Sequence, residues 1–179
     1  MKLLNSRASP ARRGCLTAGL LAMATVLAPL DVARAEPQDG QKFDDWTVRC
    51  NDQPNAPTGG KCFIFQSVVE TDQERTVMMF VIGKPPNQAE PRAVIVVPLG
   101  IDLRPGVEMV IDEGEPRRYP FVVCFPDGCQ AHIKVDDELM GAFKRGLKGT
   151  VTFRALPGQQ GVKIPFSLKG FTAGLNALG

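Results

Sequence analysis

RYPFVVCFPDGCQAHIKV, residues 118–135, reads as a β-hairpin. Two runs rich in β-branched and aromatic residues, 118–125 and 129–135, flank Phe125-Pro126-Asp127-Gly128, where proline presets the turn and glycine gives it the freedom to close. Alternation in the second run puts Cys129, Ala131 and Ile133 on one face and Gln130, His132 and Lys134 on the other. Across a turn of this length Cys124 lies opposite Cys129, and Val122 and Cys124 share the face of Cys129, Ala131 and Ile133.

The flanking sequence repeats the theme. Downstream, residues 136–145 predict a helix, acidic at its start (Asp136, Asp137, Glu138), basic at its end (Lys144, Arg145) and stopped by Gly146, as the helix dipole favours. Leu139, Met140, Phe143 and Leu147 form its apolar face. Residues 150–156 and 162–168 alternate as strands, with Val151, Phe153 and Ala155 on one face of the first and Val162, Ile164, Phe166 and Leu168 on one face of the second. Phe171, Leu175 and Leu178 then fit a short helix or turn. Upstream, residues 36–45 read as a loose polar lead. Trp46–Cys50, Cys62–Glu70, 76–82 and 93–97 read as strands, as do the shorter 99–103 and 107–112 around Arg104-Pro105-Gly106. The turn-rich 51–61 and the proline-rich 84–91 are loops. Strand spacing is too short for parallel crossovers. The expected fold is all-β, an antiparallel β-sandwich or barrel-like domain with one or two short helices.

Met1 to Ala35 carries the marks of a cleavable signal peptide. Lys2, Arg7, Arg12 and Arg13 precede the apolar stretch 16–30, and Ala33-Arg34-Ala35 supplies a small-x-small cleavage site. Arg12, three positions before Cys15, argues against a lipoprotein signal. Of 179 residues, removal of 35 leaves 144, enough for the single disulfide-stabilised domain expected over 36–179. It also takes five of the 21 basic residues and one of the 19 acidic ones, leaving 16 against 18, a net charge of −2. The basic balance thus belongs to the leader, and no Lys/Arg run remains to suggest nucleic acid. No transmembrane span is expected in the processed chain.

Of five cysteines, Cys15 leaves with the leader and four remain. They allow three pairings. Cys50 with Cys62 and Cys124 with Cys129 is favoured, because each pair joins strand ends that the local sequence already brings together. The spacings do not suit zinc or a Cys-x-x-Cys redox motif. No metal or cofactor is expected, and no catalytic residue emerges. His132 is the one histidine, on the strand face of Gln130 and Lys134, and the processed chain has only Ser67 and Ser167 as serines. No nucleophile elbow, phosphate loop or dinucleotide fingerprint is present. The carboxylates Asp44-Asp45 and Asp136-Asp137-Glu138 have structural explanations, in the lead and at the helix start.

An ordered pattern runs along the chain. It comprises Trp46-x-Val48-x-Cys50, Cys62-x-Ile64-x-Gln66, Pro98-x-Gly100-Ile101-x-Leu103-x-x-Gly106 and Ile111-Asp112. It continues through Phe121-x-x-Cys124 and Asp127-Gly128-Cys129-x-Ala131 to Ile164-Pro165-x-Ser167-Leu168-x-Gly170-Phe171-x-x-Gly174-Leu175. This closely resembles the invasion-associated locus B family of Gram-negative envelopes over about residues 45–178, with Ala173-Gly174 where the family commonly has Ala-Ala. The resemblance implies an exported β-sandwich-like protein of the periplasm or outer membrane, associated in pathogens with entry into host cells, and it brings no catalytic residues. The reading is of a non-enzymatic protein acting on an unidentified envelope or host-surface protein. The alternatives are a periplasmic envelope-maintenance accessory and a cell-wall or thiol-acting enzyme. The loops 51–61 and 84–91 are the expected binding loops; the oligomeric state is left open.

The cysteine pairing generates a test. Loop-closure entropy assigns each of these short bridges about 2–3 kcal/mol. Replacing Cys50 and Cys62 together by serine is expected to lower the unfolding midpoint of the oxidised protein; an unchanged midpoint refutes the pairing.

Overall fold

The computed structural model describes residues 36–51, 58, 61–72, 74–86, 88 and 90–179; residues 1–35, where the signal peptide is expected, and most of the 51–61 loop lie outside them. Among these residues eleven strands form two antiparallel sheets. The seven-stranded sheet runs β1 (Lys42–Phe43), β2 (Trp46–Cys50), β3 (Cys62–Glu70), β4 (Arg75–Gly83), β5 (Arg92–Val97), β9 (Gly128–Lys134), β8 (Phe121–Phe125). The four-stranded sheet runs β11 (Gly161–Ser167), β10 (Lys148–Arg154), β6 (Val107–Ile111), β7 (Arg117–Tyr119). Helix α1 (Asp137–Arg145) connects β9 to β10, and α2 (Phe171–Ala177) follows β11. The fold is an open sandwich; neither sheet closes on itself, so of the two expected forms the barrel drops out.

The inner faces meet in one core. Trp46, Ile64, Phe80 and Ile95 come from the larger sheet, Met109, Val151 and Phe166 from the smaller, and Phe143 and Phe171 from the helices. Five rings join these parts edge-on or tilted. Phe80 lies 4.9 Å from Phe166 and 5.7 Å from both Trp46 and Phe143, while Phe171 lies 5.2 Å from Trp46 and 5.3 Å from Phe143. Such pairs add about 0.5–1.5 kcal/mol each beyond the area they bury. The continuous apolar run of β5 has a clear cause: Ala93, Ile95 and Val97 face this core, while Val94 and Val96 join Phe63 and Val81 in a second cluster on the opposite face.

One polar group sits within the apolar inner face. The Gln66 side chain, buried on β3, receives a hydrogen bond from Ser167 N–H (2.8 Å) and donates to the carbonyls of Ser167 (3.3 Å) and Asp45 (3.1 Å). Trp46 Nε1 donates to the same Ser167 carbonyl at 3.1 Å. The amide thus does for β3 and β11 what a backbone ladder does inside a sheet. Asp112 makes a second joint. Its backbone is left-handed (φ 48°), and its carboxylate accepts from Leu147 and Lys148 N–H at 3.1 Å, guiding the chain from α1 into β10. Gly170 makes a third: with φ 84°, it packs so closely that a Cβ would meet the Phe43 carbonyl oxygen at 2.0 Å.

Several expectations are corrected. The lead is not loose: its residues 42–43 pair with β2, and Asp39 accepts from Cys50 N–H at 2.9 Å. Residues 99–103 are not a strand; only Asp102 bridges, to Arg154, because Gly100 (φ 82°) turns the chain. The single strand 118–125 is two strands in different sheets, parted at Pro120, which has no N–H to continue a ladder. A register shift between Phe121 and Val123 leaves Phe121, not Val122, opposite Ala131, so Val122 leaves the shared face and is 60% exposed. Leu147 leaves the helical face: α1 stops at Arg145, Gly146 is extended, and Leu147 is 80% exposed. Val162 is exposed near the start of β11, and β10 ends at Arg154. The helix prediction agrees with α1, Asp136 being its N-cap through Leu139 N–H at 2.8 Å.

Replacing Gln66 by leucine strands the Ser167 N–H and removes a donor from two carbonyls. At about 1–3 kcal/mol per orphaned buried group, and about 2–4 °C per kcal/mol for a domain of this size, thermal unfolding is expected to show a fall in Tm of about 5–15 °C. A fall below about 2 °C refutes the role given to this side chain.

Candidate functional site

The side chains that chemistry would recruit are kept apart. Ser67 on β3 and His132 on β9 are separated by β4 and β5, three strand spacings or about 14 Å. His132 is exposed and shares a 3.2 Å hydrogen bond with Gln130. Ser167 spends its hydroxyl on Lys169 N–H at 3.1 Å. Asp136 caps α1 and, with Glu138, pairs with Arg117 of β7 at 3.2 and 2.8 Å. The Leu139 N–H and then Arg117 hold the Asp136 carboxyl below its ordinary range. Asp44 pairs with Lys169 at 3.2 Å. Among the described residues no three His, Cys, Asp or Glu side chains gather as a metal site.

The four cysteines form two bridges, Cys50–Cys62 and Cys124–Cys129, each between residues directly opposite in the ladder. They lie at opposite ends of the larger sheet. The Cys50–Cys62 end carries the loops 51–61 and 84–91. Of the first, only Asn51, Thr58 and Lys61 are described, and Thr58 is buried against Gly83 and Phe63 instead of projecting outward. In the second, Pro85 is buried while Pro86, Gln88 and Glu90 are exposed.

The Cys50–Cys62 end has a groove of about 410 Å³ lined by Pro37, Pro86 and Leu178, and among the described residues the other end carries more exposed large apolar side chains. A groove of about 400 Å³ runs between Val77, Met79, Val96, Leu99 and Pro126. Leu99 at 53% and Phe125 at 49% exposure stand at this end. Ser67 also lines a second groove, of about 540 Å³, where the sandwich opens between β3 and β11; Val69 and Leu147 are exposed along it, and Gln66, Phe166 and Ser167 line it more deeply. The two grooves therefore adjoin. Leu99, Pro126 and Leu147 are single positions in turns, while Val77, Met79 and Val96 lie on a strand face that periodicity alone does not show to be open, so sequence reading missed them. The available signal was Phe125-Pro126, a large ring beside a turn tip.

On the smaller sheet the charge is ordered. Asp102 is buried between Arg104, bound through two oxygens at 2.8 and 3.0 Å, and Arg154 at 3.8 Å. The Arg104 hydrogen bonds hold its carboxyl below the ordinary range. Beside it Arg118 pairs with Glu108 at 3.0 Å. These partners tie down the segment after Gly100.

A disulfide-bridged, open antiparallel sandwich with clefted ends places the chain in a class of small β-rich domains. Comparison with known proteins specifies it. The family model "Invasion associated locus B (IalB) protein" matches residues 46–179. Two Brucella abortus proteins, each named Invasion protein B homolog, from strain 2308 and from biovar 1 strain 9-941, are 31% identical over 140 residues, covering 77% of this chain and 78% of theirs. The crystal structure of invasion associated protein B from Bartonella henselae aligns with a TM-score of 0.66 at 25% identity, over 77% of this chain and 94% of that one. The chain belongs to the invasion associated locus B family.

The Asp102 pair generates a pH prediction. A carboxyl whose folded pKa is depressed adds stability above its unfolded value, near pH 4, and loses that contribution as pH falls through the lower folded value. Below about pH 4 the wild-type Tm is expected to fall more steeply than that of Asp102→Asn. Parallel curves refute the contribution.

Proposed function

We propose that this protein is exported, loses residues 1–35 after Ala35, and acts in the periplasm or at the outer membrane by binding a protein rather than by catalysis. The partner is an envelope or host-surface protein, and a part in host-cell invasion follows if the binding face is displayed outside. The observation that carries the reading is the pair of adjoining grooves, with Leu99, Val69 and Leu147 exposed on a frame fixed by two disulfides. Rigid frames with exposed apolar ends suit recognition, since little ordering entropy is lost on binding. The names of the Brucella and Bartonella relatives favour the invasion role. Disulfides persist in oxidising compartments, which agrees with export. Among the described residues no helix is long and apolar enough to cross a membrane.

Export is checked by N-terminal sequencing of the protein from its own bacterium: a start at Glu36 with oxidised cysteines is expected, and retention of the leader with free thiols overturns the proposal. Protease and biotin treatment of intact cells then separates surface display from a periplasmic site. For binding, Leu99→Asp, at a half-exposed turn position, is expected to leave the Tm within about 3 °C of wild type and to reduce retention on purified envelopes or host cells at least about tenfold. Undiminished retention removes the groove from the reading.

A further inference from the structure

The two disulfides staple strands that are already joined. Cys50 faces Cys62 and Cys124 faces Cys129 as ladder partners, so the backbone pairs exist whether or not the sulfurs are bonded. The bridges span only 12 and 5 positions of sequence, and such short loops remove little freedom from the unfolded chain. Of the four cysteines only Cys129 is buried. The layers themselves are closed without covalent help, by the Gln66 clasp and by the rings that run from Trp46 to Phe171. That core ties β2 to the last helix, so the domain folds as one unit or not at all. A chain built this way has two routes across a membrane: threaded while wholly unfolded, or carried as a finished domain.

The leader sequence discriminates between them. Its basic residues end in an adjacent pair, Arg12-Arg13, followed by Gly14-Cys15-Leu16, and no charge then occurs until Asp31. Paired arginines just before an apolar stretch form the twin-arginine address of bacteria, which a receptor reads. The stretch 16–30 is only moderately apolar: four alanines, two threonines, Gly19 and Pro29 are mixed with five leucines, and isoleucine and phenylalanine are absent from it. Arg34 lies beyond the stretch, beside the expected cleavage point. Insertion by threading favours Lys and Arg on the cytoplasmic side, a bias to which acidic residues contribute little, so Arg34 opposes that route and Asp31 does not restore it.

We propose that residues 1–35 are a twin-arginine signal, and that the domain 36–179 crosses the inner membrane folded, with reduced thiols, and gains both disulfides afterwards. The partner is the receptor of the translocon that carries folded proteins. It is addressed by two neighbouring guanidiniums, planar forks that a carboxylate holds through two oxygens and that an ammonium does not reproduce. Oxidation after transport needs no rearrangement, because each cysteine already faces its partner. Each pair passes two electrons and two protons to the disulfide of a periplasmic oxidoreductase, which is left as two thiols. The inference rests on the export proposed above and adds its route.

The test follows the full-length protein in its own bacterium. The double variant Arg12→Lys, Arg13→Lys keeps the leader's charge and apolar stretch, so a threading route still accepts it. It is expected to lower the exported, processed protein at least about tenfold, with precursor accumulating in the cytoplasm. The retained precursor is expected to carry free thiols and to resist protease as the reduced domain 36–179 does. Unchanged export of the double variant overturns the inference and leaves the export reading standing, as does a retained precursor digested as fast as the chain in urea. Wild-type protein held in the cytoplasm with its leader attached overturns both.

Discussion

A single buried amide holds the two layers in register. Gln66 reaches from the inner face of β3 to the end of β11, and Trp46 meets the same Ser167 carbonyl. Apolar packing between sheets is non-directional and tolerates sliding; hydrogen bonds in a low-dielectric interior do not, since misalignment leaves polar groups unpaired. The aromatic cluster of Trp46, Phe80, Phe143, Phe166 and Phe171 supplies much of the attraction, and the Gln66 clasp fixes where the sheets stop. The groove between β3 and β11 exists because this edge is closed by side-chain bonds and not by a continuous ladder.

That view changes the meaning of the family pattern. Gln66 and Ser167 are the clasp, Asp112 steers the chain from α1 into β10, and Gly170 allows the backbone contact with Phe43. The cysteines staple two ladder ends. These are structural joints, so sharing them transmits the sandwich more directly than any particular binding partner. The exposed Leu99, Phe125, Val69 and Leu147 stand apart from them on loops and strand ends, where a frame held this firmly can vary without losing its fold.

The sheet edges tell a related story. Proline, short length, charge or side-chain capping blunts β1, β7 and β11, while β8 is neutral and carries an outward Cys124 backbone. The Cys124–Cys129 bridge that pins the hairpin also fixes which way those backbone groups face. Covalent stapling and edge chemistry are thus coupled at one end of the molecule, beside the apolar groove of Met79 and Leu99.

Local features were legible in the sequence. The hairpin turn, the capped helix α1, the buried run of β5, both cysteine pairings and the all-β class depend on neighbours within about a dozen positions, where periodicity and turn chemistry act. What the tertiary structure alone decided involves distant partners or single-residue offsets. Pro120 sends one apparent strand into two sheets, a one-residue bulge turns Val122 outward, and the lead becomes an edge strand because α2 and β2 are there to receive it. Gln66 lies in a run legible only as a strand; its partner is 101 residues away. A period-two pattern says which residues share a face, but not which sheet receives that face, nor which edge stays open. Those choices belong to long-range packing, where one residue of slip inverts every side chain.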